Sequence, residues 1–182
     1  MEWILEKDGQ LLRWLMEQFS HPVLDEMMQF VSSLGNKGMI WIGIGILLLL
    51  LGVKNKKRRN GGLLVLLSLA VNFLACNVIL KPLVDRTRPY YVLDYTPLIP
   101  PVGDPSFPSG HTSASFAAAT AIYAINRKWG LAAYLRAAVM GCSRLYLGVH
   151  FPTDVLAGAL VGTAAALAVV RLWRRKEKRG QK

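Results

Sequence analysis

Three stretches of this chain carry side chains able to hold and attack an anion. In the first, Lys81 and Arg88 flank a turn punctuated by Pro82 and Pro89. Pro82 stops a helix just after Lys81 and Pro89 stiffens the chain after Arg88, so one segment can aim two cations at one anion. In the second, Ser109, Gly110 and His111 follow Pro108 at the start of an apolar run. Proline suits the first turn of a helix, and the free N–H groups at that end form an anion site. Gly110 lets the backbone come close, and Ser109 adds a hydroxyl donor. In the third, Arg144 precedes His150 and Asp154, with Pro152 between them marking the start of the last helix. Asp154 falls in the first turn, where the helix dipole favours a carboxylate. From there it can reach the ring N–H of His150, fixing the tautomer and leaving the other nitrogen free as base or nucleophile. Guanidinium forks, an ammonium and two imidazoles with few carboxylates suit an anionic substrate.

The elements that must position these groups read as membrane spans. Runs 39–53, 61–80, 112–126 and 155–170 hold no charged residue, and 129–147 is interrupted by Arg136 and, near its end, by Arg144. A bilayer core needs about 20 apolar residues. Run 61–80 meets that directly, and the others do so if their ends enter the interface. Arg136 is expected to snorkel to the cytoplasmic interface. Basic clusters abut the runs: Lys54, Lys56, Lys57, Arg58 and Arg59; Arg127 and Lys128; and the tail from Arg171 to Lys182. Placing the first cluster in the cytoplasm puts all three on one side, as the positive-inside bias requires. The opposite ends of the runs then hold Lys81, Arg86, Arg88, Arg144, His111 and His150. Cations on the side that the bias should empty mark a functional site.

Residues 1–19 place Ile4, Leu11, Leu12, Leu15 and Phe19 on one broad face, with Glu2, Glu6, Arg13 and Glu17 opposite. They are expected to form an amphipathic helix lying in the interface. No basic leading region or small-residue cleavage site marks a signal peptide. Residues 21–34 read as a short outward span. Cys76 and Cys142 read as reduced packing residues, Asp85 and Arg86 as a local ion pair, and Tyr90, Tyr91 and Tyr95 as interfacial aromatics. The expected fold is therefore all-α: one polytopic transmembrane bundle of about six helices over 1–182, with 171–182 as a basic cytoplasmic tail.

Composition excludes other classes. The chain has 182 residues, 53% hydrophobic, with a net charge of +11, and a mean hydropathy of +0.32. A disordered basic tail lacks such apolar content. A soluble nucleic-acid binder spreads its cations over a mostly polar chain, so no nucleic-acid partner is expected. A disulfide-stapled module needs more than two cysteines.

Lys81-x6-Arg88-Pro89, Pro108-Ser109-Gly110-His111 and Ser143-Arg144-x5-His150-x3-Asp154 together resemble the three-part signature of the type 2 phosphatidic acid phosphatase superfamily. That superfamily includes lipid phosphate phosphatases and soluble vanadium haloperoxidases; the long apolar runs argue against the latter. The resemblance implies that His150 attacks phosphorus to give a phosphohistidine, oriented by Asp154. It implies that His111 protonates the leaving oxygen and later activates water. Lys81, Arg88, Ser109, Gly110 and Arg144 would hold the phosphoryl oxygens. No cofactor and no metal is implied, and no acidic cluster stands at metal-ligand spacing.

The implied enzyme is a lipid phosphate phosphatase of the bacterial cytoplasmic membrane, with its site facing outward and its C-terminus inside. Its partners are the lipid phosphate substrate and membrane lipids. Undecaprenyl diphosphate is the favoured substrate; phosphatidylglycerophosphate and phosphatidic acid are rivals. A lipid-linked phosphotransferase and a non-enzymatic anion-binding membrane protein are the alternatives of other classes.

Overall fold

Helices begin and end where capping side chains, prolines and a left-handed glycine place their boundaries. The computed structural model describes residues 2–179, without the side chains of Glu2, Ile4 and Lys37. The expectations for Glu2 and Ile4 on the first helix, and for Lys182 in the tail, therefore lie outside the described residues. All elements among the described residues are helical.

Helix α1 (Glu2–Phe19) leads to α2 (Pro22–Leu34) through His21, whose Nδ1 accepts the Val23 N–H at 3.2 Å. A 3-10 turn over Asn36–Gly38 follows, and Gly38 at φ +68° opens α3 (Met39–Leu50) in a conformation that glycine permits. Asn55 caps α4 (Lys56–Phe73) by accepting the Arg58 N–H at 3.1 Å. Helix α4 runs on through a π-helical stretch, Leu74–Leu80, into α5 (Lys81–Val84). Stretches of π-helix commonly mark functional sites, and this one delivers Lys81. The single turn α6 (Pro89–Val92) precedes a proline-rich loop. Then come α7 (Gly110–Ile125), α8 (Arg127–Tyr146) and α9 (Pro152–Arg179).

Helices form over all five apolar runs, but fewer satisfy the length and apolarity of a span. The segments Lys56–Val92 and Pro152–Arg179 do so, and α2 with α3 makes a third if that pair, bent by 48°, is one span. Helix α7 has only 16 residues, about 24 Å at 1.5 Å per residue, and α8 carries Arg127, Lys128, Arg136 and Arg144. The basic segment from Arg171 is the last part of α9 as far as Arg179.

Helix α7 is central, packed by α4, α8 and α9, with Ala117, Ala118, Ala119 and Ala121 fully buried. Small residues let helix backbones approach closely. A Cβ on Gly162 would lie 2.0 Å from the Ser113 carbonyl oxygen, and one on Gly158 would lie 2.7 Å from that of Ser109. This contact sets the start of α9 beside the start of α7. Buried polar side chains pair across the bundle: Trp41 Nε1 donates to Ser115 Oγ (3.0 Å), and Asn72 Nδ2 to Ser113 Oγ (3.2 Å).

One expectation needs correction here. Arg136 does not extend freely outward; its guanidinium lies over the Trp41 ring, 5.0 Å from the centroid, with both terminal nitrogens buried. On α1, Leu12 is buried but Leu11 and Phe19 are exposed, as are Trp3 and Trp14. The helix meets the bundle through Leu12 and Asp8, a polar residue on its inner side. Both thiols are free; Cys76 is buried and Cys142 exposed.

Candidate active site

The ends of helices α5, α7 and α8 and the residues that precede α6 and α9 converge on one cavity of ≈ 990 Å³. Its polar end is lined by Lys81, Arg88, Gly110, His111, Arg144 and His150. Ile42, Leu66, Leu69, Phe73 and Leu74 form an apolar wall that leads away along α3 and α4. Ser109 and Asp154 are fully buried behind this lining. The Ser109 hydroxyl accepts from Thr112 Oγ1 (3.0 Å), and its N–H donates to the Asp154 carbonyl (3.0 Å). All eight residues singled out in the sequence therefore lie in or directly behind a single site.

His150 occupies the short link between α8 and α9 and is buried. Its Nε2 is 3.4 Å from Arg88 Nη1. Arg88 is itself fixed by the Val149 carbonyl, which accepts from Nη1 at 2.8 Å. Burial, with the charges of Arg88 and Arg144 beside it, lowers the His150 pKa to about 4, although Asp154 pulls the other way. The ring is neutral at ordinary pH, the form whose free nitrogen carries a lone pair.

The His150–Asp154 pair is looser than the spacing suggests. Asp154 Oδ2 lies 3.5 Å from His150 Nδ1, beyond the usual range for an N–H···O bond. Ser106 shares the gap: its Oγ donates to Asp154 Oδ2 at 2.5 Å and lies 3.4 Å from His150 Nδ1. Asp154 Oδ2 also accepts the Phe151 N–H at 2.9 Å. Across the cavity, His111 Nε2 meets Asn36 Oδ1 at 3.2 Å, and Arg144 Nη1 donates to Ser32 Oγ.

Asp104 has no place in the sequence reading, yet it is the counter-ion of the cation pair. Its carboxylate bonds Lys81 Nζ and, at 2.7 Å, Arg88 Nη2, while its carbonyl accepts from Arg88 Nε at 2.8 Å. Burial alone would raise its pKa, but Lys81 and then Arg88 outweigh that and hold it below the usual carboxylate value. The only signal in the sequence is an acidic residue inside the proline-rich loop, five positions before Ser109.

Other residues near the site also pair differently. Asp85 adopts φ +44°, and Arg86 turns from it to bond Asp154 and Asp8. The expected Asp85–Arg86 pair is thus replaced, because the left-handed turn directs the two neighbours apart. Tyr90 is buried and donates to the Val102 carbonyl (3.0 Å), and Tyr95 donates to that of Gly148 (2.6 Å). These two tyrosines anchor the loop; only Tyr91 is largely exposed.

Comparison with known proteins fits this geometry. The sequence profile of the PAP2 superfamily matches residues 61–178, which spans every signature position. The chain belongs to the PAP2 superfamily. It is 30% identical over 151 residues to an undecaprenyl-diphosphatase of Sulfolobus acidocaldarius, covering 82% of this chain and 70% of that protein. It is 32% identical over 141 residues to the undecaprenyl-diphosphatase BcrC of Bacillus subtilis, covering 78% and 70%. Among solved structures, the transmembrane PAP2-type phosphatidylglycerolphosphate phosphatase of Bacillus subtilis superposes with a TM-score of 0.79 at 26% identity, covering 97% of this chain and 88% of that one. The PAP2 reading of the three-part signature, and with it the assignment to a phosphatase family, therefore holds.

Proposed function

We propose that this PAP2 protein hydrolyses a lipid phosphate or diphosphate through a phosphohistidine, with undecaprenyl diphosphate as the substrate that fits best. The observation that carries the reading is the two-part cavity. Cations and imidazoles close one end, and an apolar wall along α3 and α4 gives a lipid tail somewhere to lie.

In this reading Lys81, Arg88, Arg144, the Gly110 amide and Ser109 hold the phosphoryl oxygens and stabilise charge as it develops. Neutral His150 attacks phosphorus through Nε2, the bond to the leaving oxygen breaks, and His111, whose protonation the negative charge of the bound phosphoryl group favours, supplies that oxygen with a proton. His111 then takes a proton from water. The resulting oxygen attacks phosphorus, the P–N bond breaks, and inorganic phosphate leaves with His150 restored. Asp154 orients His150 and balances the positive charge on its substituted ring. From a diphosphate the lipid product is the monophosphate.

The membrane placement belongs to the same proposal. The chain is one domain of about six helices, with α1 in the interface, the site at the extracytoplasmic face of the bacterial cytoplasmic membrane, and the basic end of α9 inside. The two curated relatives named above support the diphosphate. The solved neighbour named for phosphatidylglycerolphosphate, aligned over nearly the whole chain, favours that lipid as a second reading.

The test is phosphate release by purified protein from a panel of lipid mono- and diphosphates in EDTA, with His150→Ala alongside. Release by the wild type, fastest from undecaprenyl diphosphate and absent in His150→Ala, is expected. Full turnover by His150→Ala would overturn the covalent route, and a preference for phosphatidylglycerophosphate would replace the substrate.

A further inference from the structure

Behind His150, Asp154 is tied into a buried ion chain with Arg86 and Asp8, two residues that take no part in the steps above. Asp154 turns Oδ2 toward Ser106 and His150, and its other oxygen, Oδ1, accepts from Arg86 Nη1 at 2.7 Å. The far side of Arg86 is held by Asp8 of α1, with Nη2 2.7 Å from Asp8 Oδ2. Arg86 Nη1 also donates to Thr153 Oγ1 (2.7 Å), and its guanidinium lies 4.0 Å from the Phe151 ring centroid. Asp8 accepts the Thr153 N–H (3.0 Å) and the Thr153 hydroxyl. Side-chain exposure is 2% for Asp8 and 13% for Arg86.

Each contact constrains the one before it. A buried carboxylate paired with a single guanidinium is close to neutral, and little of its charge reaches a neighbour. Here one guanidinium serves two carboxylates, so the triplet Asp8–Arg86–Asp154 keeps one negative charge beside His150. The ring gains positive charge when its Nε2 bonds to phosphorus, so that residual charge stabilises the intermediate more than the resting state. Asp8 lies far from these residues in sequence, so α1 becomes a structural part of the site.

We propose that Arg86 and Asp8 are positioning residues that hold Asp154 in its orientation and set how much of its negative charge His150 feels. The proposal rests on the roles given above to His150 and Asp154. It predicts opposite electrostatic effects from two neighbouring substitutions. Asp8→Asn removes a negative charge, so His150 becomes harder to protonate. Arg86→Gln removes a positive charge, so His150 becomes easier to protonate. The other groups facing His150 are Arg88, Arg144, Ser106 and Asp154, with Lys81, His111 and Asp104 around the cavity. All are retained in both variants.

The experiment is titration of the His150 ring by NMR in nanodiscs, using ¹⁵N-histidine protein assigned with a His150→Gln control. It is combined with kcat/KM against pH on a lipid diphosphate. The midpoint should move down in Asp8→Asn and up in Arg86→Gln, each by about half a pH unit or more. Arg86→Lys, which keeps the charge, should return the midpoint to the wild-type position and recover part of kcat. Midpoints that stay put, or that move the same way in both variants, would overturn the proposal. Loss of folded protein without such shifts would reduce both residues to structural anchors, which also overturns it. The NMR titration needs no turnover, so it remains decisive if the phosphatase reading itself fails.

Discussion

Asp104→Asn should make the site bind inorganic phosphate and vanadate more tightly. The carboxylate of Asp104 bonds both Lys81 and Arg88, the cations proposed to hold the phosphoryl oxygens, so in that reading an incoming phosphate must first displace it. The Asp104 side chain is 46% exposed. Partly exposed ion pairs are each worth roughly 0.2–1 kcal/mol, so two such pairs impose a cost of about 1 kcal/mol. That corresponds to about a fivefold change in affinity, since 1.4 kcal/mol is tenfold. Asparagine keeps the shape of the side chain and the backbone carbonyl that accepts from Arg88 Nε, and loses only the charge. It also leaves two buried cations without their anion, so the empty variant should melt lower and gain more from phosphate than the wild type does. Calorimetric titration with phosphate, vanadate inhibition constants and thermal midpoints with and without phosphate read all of this. Weaker phosphate binding in Asp104→Asn would refute the reasoning, because Asp104 would then belong to the binding scaffold and not compete with the ligand.

Other expectations rest on single features. The His150 pKa is about 4 in the folded protein against about 6.5 in an unfolded chain. Its neutral burial therefore contributes stability that is complete above about pH 6.5. That contribution should fade as pH falls toward 4, seen as a falling thermal midpoint that His150→Gln flattens. Gly162→Ala would put a Cβ 2.0 Å from the Ser113 carbonyl oxygen. It should cost about 1–3 kcal/mol and lower both the melting point and activity. Gly43→Ala, where nothing lies within 4 Å, should do neither. For topology, a cysteine at Gly103 should react with an impermeant maleimide in intact cells and one at Lys56 should not; the reverse pattern would move the site to the cytoplasm.

The cations and imidazoles of the site are legible in the sequence because helix ends announce themselves. Pro108 and Pro152 mark where helices start, whereas the helix expected to stop just after Lys81 runs past Pro82 to Val84; a polar residue at such a boundary can face only a limited space. Pairing between distant segments is not legible in this way. Arg86 stands next to Asp85 in the chain, yet its partners come from α1 and α9. Asp104 sits in a loop whose path depends on Tyr90 and Tyr95 bonding backbone carbonyls elsewhere. Arg136 reads as a snorkelling residue because the sequence cannot show Trp41 of α3 beneath it. The number of spans is blurred for a related reason. Helix α7 is short and polar at its start because neighbouring helices surround it, so its composition answers to protein packing more than to lipid.

The missed carboxylates change the electrostatic picture of the site. Read along the chain, Lys81, Arg86, Arg88 and Arg144 look like an unbalanced positive cluster awaiting an anion. In the fold they face Asp8, Asp104 and Asp154, which leaves a single positive charge in the cluster. A phosphate dianion that takes the place of Asp104 would bring that local balance to zero. Both states stay close to neutral, which a poorly solvated pocket requires if neither is to carry a large desolvation penalty. The same balance separates the two sides of the site. In the proposed reaction Asp104, which lines the cavity, would give way to substrate, whereas Asp8 and Asp154 are locked on Arg86 behind His150, where a fixed negative charge would remain when the ring becomes cationic.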